Sequence, residues 1–400
     1  MKIDPIRQNV SLDPRDPGFV QNPYAAYHAI RAAVPVFVWE QYGYRCFARH
    51  DDVSALLRDR RLGRQITHLL SREAAGLGPV PDHLKSFYAF ERHSLLELEP
   101  PAHTRLRGLV NRAFLSRQVE RLKPRLVALC HELIDGFAGA GEADLLAQYA
   151  TPIPVIMIAE LLGVPAAMAP QLLAWSHDMV AMYQARRDVE IELRAEAATV
   201  AFSHFMRSYI AERRRAPGPD LLSELIAAEA EGARLSEDEL ITTAILLLNA
   251  GHEATVHAIA NGTKALLEHG LTPGAPGTVE EVLRFDAPLH LFTRYVLEDM
   301  EYAGHRLRQG EEVGLLLGAA NRDPARFAAP DRFDPSRDPN PHVSFGAGLH
   351  FCIGAPLARL ELTCALEILF QRLPGLSLAA QPVYRDSYHF HGLEALRLTW

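Results

Sequence analysis

Read for hydrophobic periodicity, the chain begins in short pieces and then turns helical. Pro, Asp and Gly punctuate residues 1–23, and a helical rhythm over 24–33 must end before Pro35, which pushes the preceding residue out of the α region. Residues 36–38 and 44–47 are rich in β-branched and aromatic side chains and are separated by Gly43, so they predict two short strands joined by a turn. Helical patterns follow at 51–58, 103–114, 119–137, 143–162 and 167–184. Pro152 and Pro154 fall inside the fourth, where a missing donor and a crowded preceding turn predict division into shorter helices. The longest pattern starts at Ser236, which stands in capping-box spacing with Glu239, and runs to Leu267. At 1.5 Å per residue it would be roughly 45 Å long. Gly251 and Gly262 inside it predict a weakened, locally irregular helix. A helix over 278–285, strands over 289–296 and 313–317, a Pro/Asp/Arg-rich coil over 321–341 and a helix over 355–370 complete the pattern. A structureless coil of that length is expected to be a tied-down functional connection. No internal repeat or low-complexity linker divides the chain, and 216–220 and 271–277 read as interhelical turns. The expectation is one domain over residues 1–400, mainly α with small β-sheets.

Bulk properties narrow the classes. Four hundred residues at 48% hydrophobic content can build a large core. With neither a positive-then-apolar leader nor an apolar run of about 18 residues, the expectation is a cytoplasmic enzyme without a membrane span. A net charge of -8 argues against an electrostatic grip on nucleic acid. The cysteines, Cys46, Cys130, Cys352 and Cys364, are scattered without a repeated CxxC pair, which disfavours a four-thiolate zinc or iron–sulfur site. His252-Glu253 opens a zinc-peptidase pattern, but position 256 is Val, and His257 lies too far around a helix from His252 to share its face.

Three constellations carry chemistry. In Phe345-Gly346-Ala347-Gly348-Leu349-His350-Phe351-Cys352-Ile353-Gly354, glycines permit tight curvature around Cys352 and close approach to a planar ligand. The following helix would point its N-terminal dipole at the thiolate. A dinucleotide-binding reading of Gly346 and Gly348 fails, because Phe351 stands where the third glycine is required. Glu281 and Arg284, three apart, share a helical face, as do His103 and Arg107, four apart, whose donors suit carboxylate oxygens.

The cysteine segment resembles the haem-binding loop of the cytochrome P450 family, with matches at Phe345, Gly348, His350, Cys352 and Gly354. The resemblance implies a single-domain, triangular P450 fold in which haem b lies between the long helix and the helix after Cys352. It implies the Cys352 thiolate as axial iron ligand, Phe345 beside it, and His350, His103, Arg107 and Arg294 toward the haem propionates. Arg105 and Arg112 would then help dock an acidic electron donor. Glu281-x-x-Arg284 is similar to the family's ExxR motif, which supports the cysteine loop, with Arg332 or, preferably, Arg337 as third partner. Residues 250–255 resemble the oxygen-binding motif, yet Ala254 occupies the position of its proton-guiding alcohol. Glu253 keeps a carboxyl group for a proton route, while Thr255 points roughly 100 degrees away around the helix. Ordered water or a substrate hydroxyl is therefore expected to complete the relay.

Pocket-forming stretches mapped by the same resemblance are 87–90, 175–183, 246–250, 289–292 and 389–390. They nominate Phe87, Leu247, Ala250, Leu289, His290, Phe292 and Phe390 as substrate contacts for a moderately large, mainly apolar molecule, with His290 or His252 as a polar contact. The implied activity is a haem-thiolate monooxygenase using molecular oxygen. Without a fused flavin or iron–sulfur domain, a separate ferredoxin or flavodoxin and its reductase would supply electrons. A haem-thiolate sensor without turnover and a peroxide-driven P450 are the alternatives.

Overall fold

Prolines and polar caps set the early boundaries, as seen in a computed structural model that describes residues 1–113, 116–183, 187–228 and 235–400. The strands β1 (Lys2–Asp4) and β2 (Asn9–Ser11) pair antiparallel. The Asp16 side chain then caps α1 (Pro17–Gln21) by accepting the Phe19 N–H at 3.0 Å. Pro23 opens α2 (Pro23–Ala33), since its missing donor is unneeded there. Gly43, at φ +76°, turns β3 (Val36–Trp39) into β4 (Tyr44–Phe47). Next come α3 (His50–Leu56), β5 (Leu62–Gly63), α4 (Lys85–Glu91), α5 (Ala102–Ala113) and α6 (Ser116–Asp135). The expected ends at Phe114 and Gln184 lie outside the described residues.

The pattern over 143–162 is not one helical stretch. Its start belongs to β6 (Glu142–Asp144), which pairs with β12 (Arg397–Thr399) from the far end of the chain, a partner that local periodicity does not reveal. A single π turn, Leu146–Ala150, leads into α7 (Pro152–Leu161), where Pro152 sits harmlessly in the first turn. After α8 (Ala169–Val180) comes α9 (Val189–Arg215), a helix the periodicity did not predict. Its surface is dense in Glu and Arg, and its apolar residues become a face only against α4, α8 and helices that follow in the chain.

Beyond α10 (Leu221–Ala228), the capping box between Ser236 and Glu239 forms and starts α11 (Glu237–Glu268). Its 32 residues make it about 48 Å long. The expected irregularity is absent: α11 is unbroken through both glycines. Gly262 has a packing reason, because a Cβ there would meet Val282 at 2.8 Å on α12 (Thr278–Phe285). The chain continues through β7 (Leu291–Val296), the hairpin β8 (Met300–Tyr302) and β9 (His305–Leu307), β10 (Glu312–Leu316) and α13 (Leu317–Ala320). After the long coil come α14 (Ala355–Arg372) and β11 (Ser377–Leu378).

Seven strands form one sheet in the order β1-β2-β3-β4-β10-β7-β5, and β11-β12-β6 form a second. Two large apolar clusters flank α11. One joins its first half to α7 through α10 and to Leu357 of α14; the other joins its second half to α6, α7, α14 and the C-terminal strands. The core thus holds α11 and α14 in fixed relation, with the Cys352 loop entering α14. Among the described residues, no helix is long and apolar enough to cross a membrane.

Candidate active site

The loop before α14 is folded back on itself: the Cys352 N–H donates to the Phe345 carbonyl at 2.9 Å. Gly346 and Gly348 hold φ of +67° and +68°, where side chains are strained. A Cβ on Gly348 would also sit 2.6 Å from the Leu57 carbonyl oxygen. Phe345 lies in the same turn, with the Arg359 guanidinium 4.7 Å above its ring. Burial raises the Cys352 thiol above its ordinary pKa, opposed by the backbone N–H groups of Gly354 and Ala355 and by the Arg107 cation. Those donors at the start of α14 are suited to a thiolate. Cys46, Cys130 and Cys364 are buried free thiols, each raised by burial.

Beside the loop lies a concentration of cationic and imidazole groups. His103 is fully buried with neither ring nitrogen hydrogen-bonded, and its ring centroid is 4.5 Å from that of His350. Burial, then His350 and Arg107, hold its pKa down to about 4. Arg294, 4% exposed, donates to the Thr293 carbonyl at 2.8 Å, and burial lowers its pKa to about 9. Arg107 donates to the Phe351 carbonyl. The carboxylate facing this group is Glu99, 3.2 Å from His350 Nε2 and bonded to the Arg64 N–H. Sequence reasoning missed Glu99, which sits before two prolines and carries no motif. Arg105 is not free for a partner: it pairs with Glu239 at the start of α11. Arg112 lies outside the described side chains.

Behind the loop, Glu281 and Arg284 are wholly buried and joined by two contacts of 2.7 Å. Arg284 also donates to the carbonyls of Asn321, Pro330 and Arg332. Glu281 accepts the Asp334 N–H at 2.7 Å and the Asn340 amide at 3.0 Å. Arg337 brings its Nε to 3.4 Å from Glu281, whereas Arg332 contributes its backbone carbonyl. This network ties α12 to the long coil that delivers the cysteine loop.

On α11, Glu253 is 7% exposed and surrounded by bases. Its Oε1 meets Arg385 and His257 Nε2, the latter at 3.2 Å. Its Oε2 lies 3.3 Å from His177 Nε2 and 3.6 Å from His252 Nε2. Burial would raise the carboxyl, but His177, His257 and Arg385 override it and hold Glu253 well below the usual carboxylate range. Ala250 is exposed although it lies mid-helix after buried Asn249, and Gly251 and Ala254 are half-buried, so this face of α11 borders a hollow. Thr255 is 6% exposed.

A family model described as Cytochrome P450 matches residues 275–376, the stretch from α12 through the cysteine loop into α14. The chain is 33% identical to the polyketide biosynthesis cytochrome P450 PksS of Bacillus subtilis, over 97% of this chain and 98% of that protein. It is 41% identical to the mycinamicin IV hydroxylase/epoxidase of Micromonospora griseorubida, over 82% of each chain. Among solved structures, P450BioI in complex with a hexadec-9Z-enoic acid-ligated acyl carrier protein superposes with a TM-score of 0.89 at 34% identity, covering 96% of this chain and 100% of that one.

The chain belongs to the cytochrome P450 family.

P450 enzymes of this kind are haem-thiolate monooxygenases, and haem b is their standard cofactor. The residues present fit that group. A buried histidine with two unpaired nitrogens and a buried, poorly neutralised arginine are costly arrangements in a chain alone, and both are suited to carboxylates such as haem propionates. This P450 also places its nominated pocket residues unevenly. Leu289 and Phe292 are half-buried, with Phe292 against Gly346 and Leu289 bridged to Phe390. Leu247 and Phe87 are buried in apolar clusters, Phe87 with Met182 and Tyr183. The structure corrects His290 as a polar substrate contact: it is fully buried, bonded to Tyr27 at 2.9 Å and packed on Gly318 and His391. Its place is set by contacts from distant segments, Tyr27 of α2 and Gly318 of α13, rather than by anything local to its own stretch.

Proposed function

We propose that this P450 inserts one oxygen atom into a moderately large, mainly apolar molecule, using molecular oxygen and electrons from a separate ferredoxin or flavodoxin with its reductase, in the cytoplasm. The observation that carries the assignment is the Cys352 loop beside a buried, under-neutralised donor set. Cys352 would hold the iron, and His103, Arg107, Arg294 and His350 the propionates. When bound, haem supplies the activation of dioxygen.

The chain's own residues do the rest. The backbone N–H groups of Gly354 and Ala355 and the dipole of α14 favour the thiolate form of Cys352. The network of Glu281, Arg284 and Arg337 keeps the loop from relaxing. Ala250, Leu289, Phe292 and Phe390 present apolar surface that positions substrate and excludes water. Glu253 stays ionised, with Oε1 neutralised by Arg385 and Oε2 left as the oxygen open to proton traffic. Ala254 offers no hydroxyl, so the final proton step from Glu253 uses an ordered water or a hydroxyl of the substrate. The relatives' roles, polyketide biosynthesis, mycinamicin IV hydroxylation or epoxidation, and a complex with a hexadec-9Z-enoic acid-ligated acyl carrier protein, support a bulky apolar class.

The test is a ligand screen by spectral shift of the haem-loaded protein, followed by product analysis with a reconstituted ferredoxin chain and, separately, with peroxide. A product gaining one oxygen atom under reductase-driven conditions is expected. Binding without any product in either system would mark a sensor instead. Product per electron pair should survive Thr255→Ala; abolition by that change with intact substrate binding, and no effect of Ala254→Thr, would sink the relay.

A further inference from the structure

The two oxygens of Glu253 face different surroundings. Oε1 is neutralised by Arg385 and contacted by His257. Oε2 faces the Nε2 atoms of His177, from α8, and His252, from α11. The Nδ1 of His252 lies 2.8 Å from the Leu248 carbonyl, an acceptor only, so Nδ1 carries the proton. In the neutral imidazole its Nε2 presents a lone pair, and it is buried with no hydrogen-bond partner. Two acceptors, this lone pair and a carboxylate oxygen, confront each other at 3.6 Å. That contact is repulsive until a proton, a bridging water or a metal cation lies between them, and the ligand set suits the last.

We propose that His177, His252 and Glu253 form a binding site for a divalent first-row transition-metal ion, with Zn2+ as the reference ion. The geometry is close to what such an ion needs. Ligands bound at 2.0–2.1 Å in a tetrahedral site stand about 3.3 Å apart, and the carboxylate-to-imidazole separations are 3.3 and 3.6 Å. All three ligand atoms lie within 4.8 Å of one another. A backbone carbonyl on the distal nitrogen of His252 is the outer support that orients metal-binding imidazoles. His177 is 53% exposed, which gives the ion an entry path and leaves the side chain free to close the remaining gap. This site differs from the peptidase pattern excluded by spacing, because its second histidine comes from another helix. Among the described residues the other cluster of ligand-type residues, Asp286, His290 and His391, is enclosed, and its carboxylate is already occupied by Tyr24 and Tyr384.

Bound there, the ion cross-links α8 to α11 and takes Oε2 out of proton traffic, a consequence that rests on the role given to Glu253 above. The test is equilibrium dialysis of the haem-loaded protein against Zn2+, with X-ray absorption at the zinc edge, where haem iron does not interfere. One zinc per chain with two imidazoles and an oxygen ligand at about 2.0 Å is expected. His177→Ala, on a half-exposed side chain that the fold does not need, and His252→Ala should each weaken binding at least about tenfold. His204→Ala, exposed on α9, should not. Absence of stoichiometric zinc at submillimolar concentration, or unchanged binding in His177→Ala, overturns the site. Zinc should lower product per electron pair in the native chain and not in His177→Ala. Stoichiometric zinc with unchanged product yield would uphold the site and overturn the proton role of Glu253.

Discussion

Arg284→Ala should disable the protein far from any reacting atom. The guanidinium is fully buried, makes two contacts of 2.7 Å with Glu281, and donates to three carbonyls that close the coil ahead of Cys352. Removing one partner of a buried pair costs about 3–5 kcal/mol, because the other charge stays buried. Arg337, 3.4 Å from Glu281, offsets part of that charge, but nothing replaces the donors to Asn321, Pro330 and Arg332. The expected loss is therefore about 4 kcal/mol, against a total stability of about 5–15 kcal/mol for a folded domain. Arg359→Ala is the matched control. Its ion pair with Glu280 is made by side chains 38% and 31% exposed and its contact with the half-buried Phe345 ring is weak, so its removal should cost no more than about 1–2 kcal/mol. The assay compares haem content per chain and the thermal midpoint of the Soret band for both variants and for Arg284→Lys, which keeps charge but loses the fork. Haem content should fall steeply in Arg284→Ala, partly in Arg284→Lys and little in Arg359→Ala. Equal behaviour of Arg284→Ala and Arg359→Ala would refute the claim that the buried network supports the loop.

Two further outcomes follow from single buried groups. His103→Ala removes a histidine whose ring bonds to nothing in the chain, so apoprotein stability should hold while haem dissociates about 10–100 times faster, as expected for a lost charge-assisted bond of about 1.5–3 kcal/mol; a large apoprotein destabilisation with unchanged haem release would show a packing role instead. Glu361, buried on α14, has its carboxyl pKa raised well above the ordinary value by burial alone. A raised carboxyl pKa lowers stability progressively as pH rises above the unfolded value, by up to about 1.4 kcal/mol per pH unit until the folded value is reached. Glu361→Gln should therefore melt higher than the native chain at pH 7, with the gap shrinking toward pH 4; a gap independent of pH would be inconsistent with this.

Local chemistry explains which parts of the structure were readable in advance. Pro35, Gly43, the Ser236–Glu239 box and Pro288 punctuate the chain through backbone rules, and the elements beside them lie where those rules put them. The cysteine loop was legible because its glycines and Cys352 stand together in one short stretch that closes on itself, Cys352 onto Phe345, and resembles the family's loop. The helix α9 was not, since its many charges hide an apolar face that exists only against α4, α8, α10 and α11. The strand β6 needed β12 from the other end of the chain. The site shows the same limit: Glu253 stood out by its motif, but Arg385 and His177 reach it through tertiary folding alone. His290 turns away to Tyr27 and Gly318, partners that only the tertiary fold supplies.

The central claim is that Cys352 holds haem iron as a thiolate. The most direct measurement is the absorption spectrum of the reduced, carbon monoxide-bound, haem-loaded protein, recorded for the native chain and for Cys352→His. The account predicts a strongly red-shifted Soret band in the native chain and its loss in the variant, with haem still bound. A folded, haem-loaded native chain showing the Soret position of histidine-ligated haem, or a Cys352→His protein that keeps the red-shifted band, would contradict it.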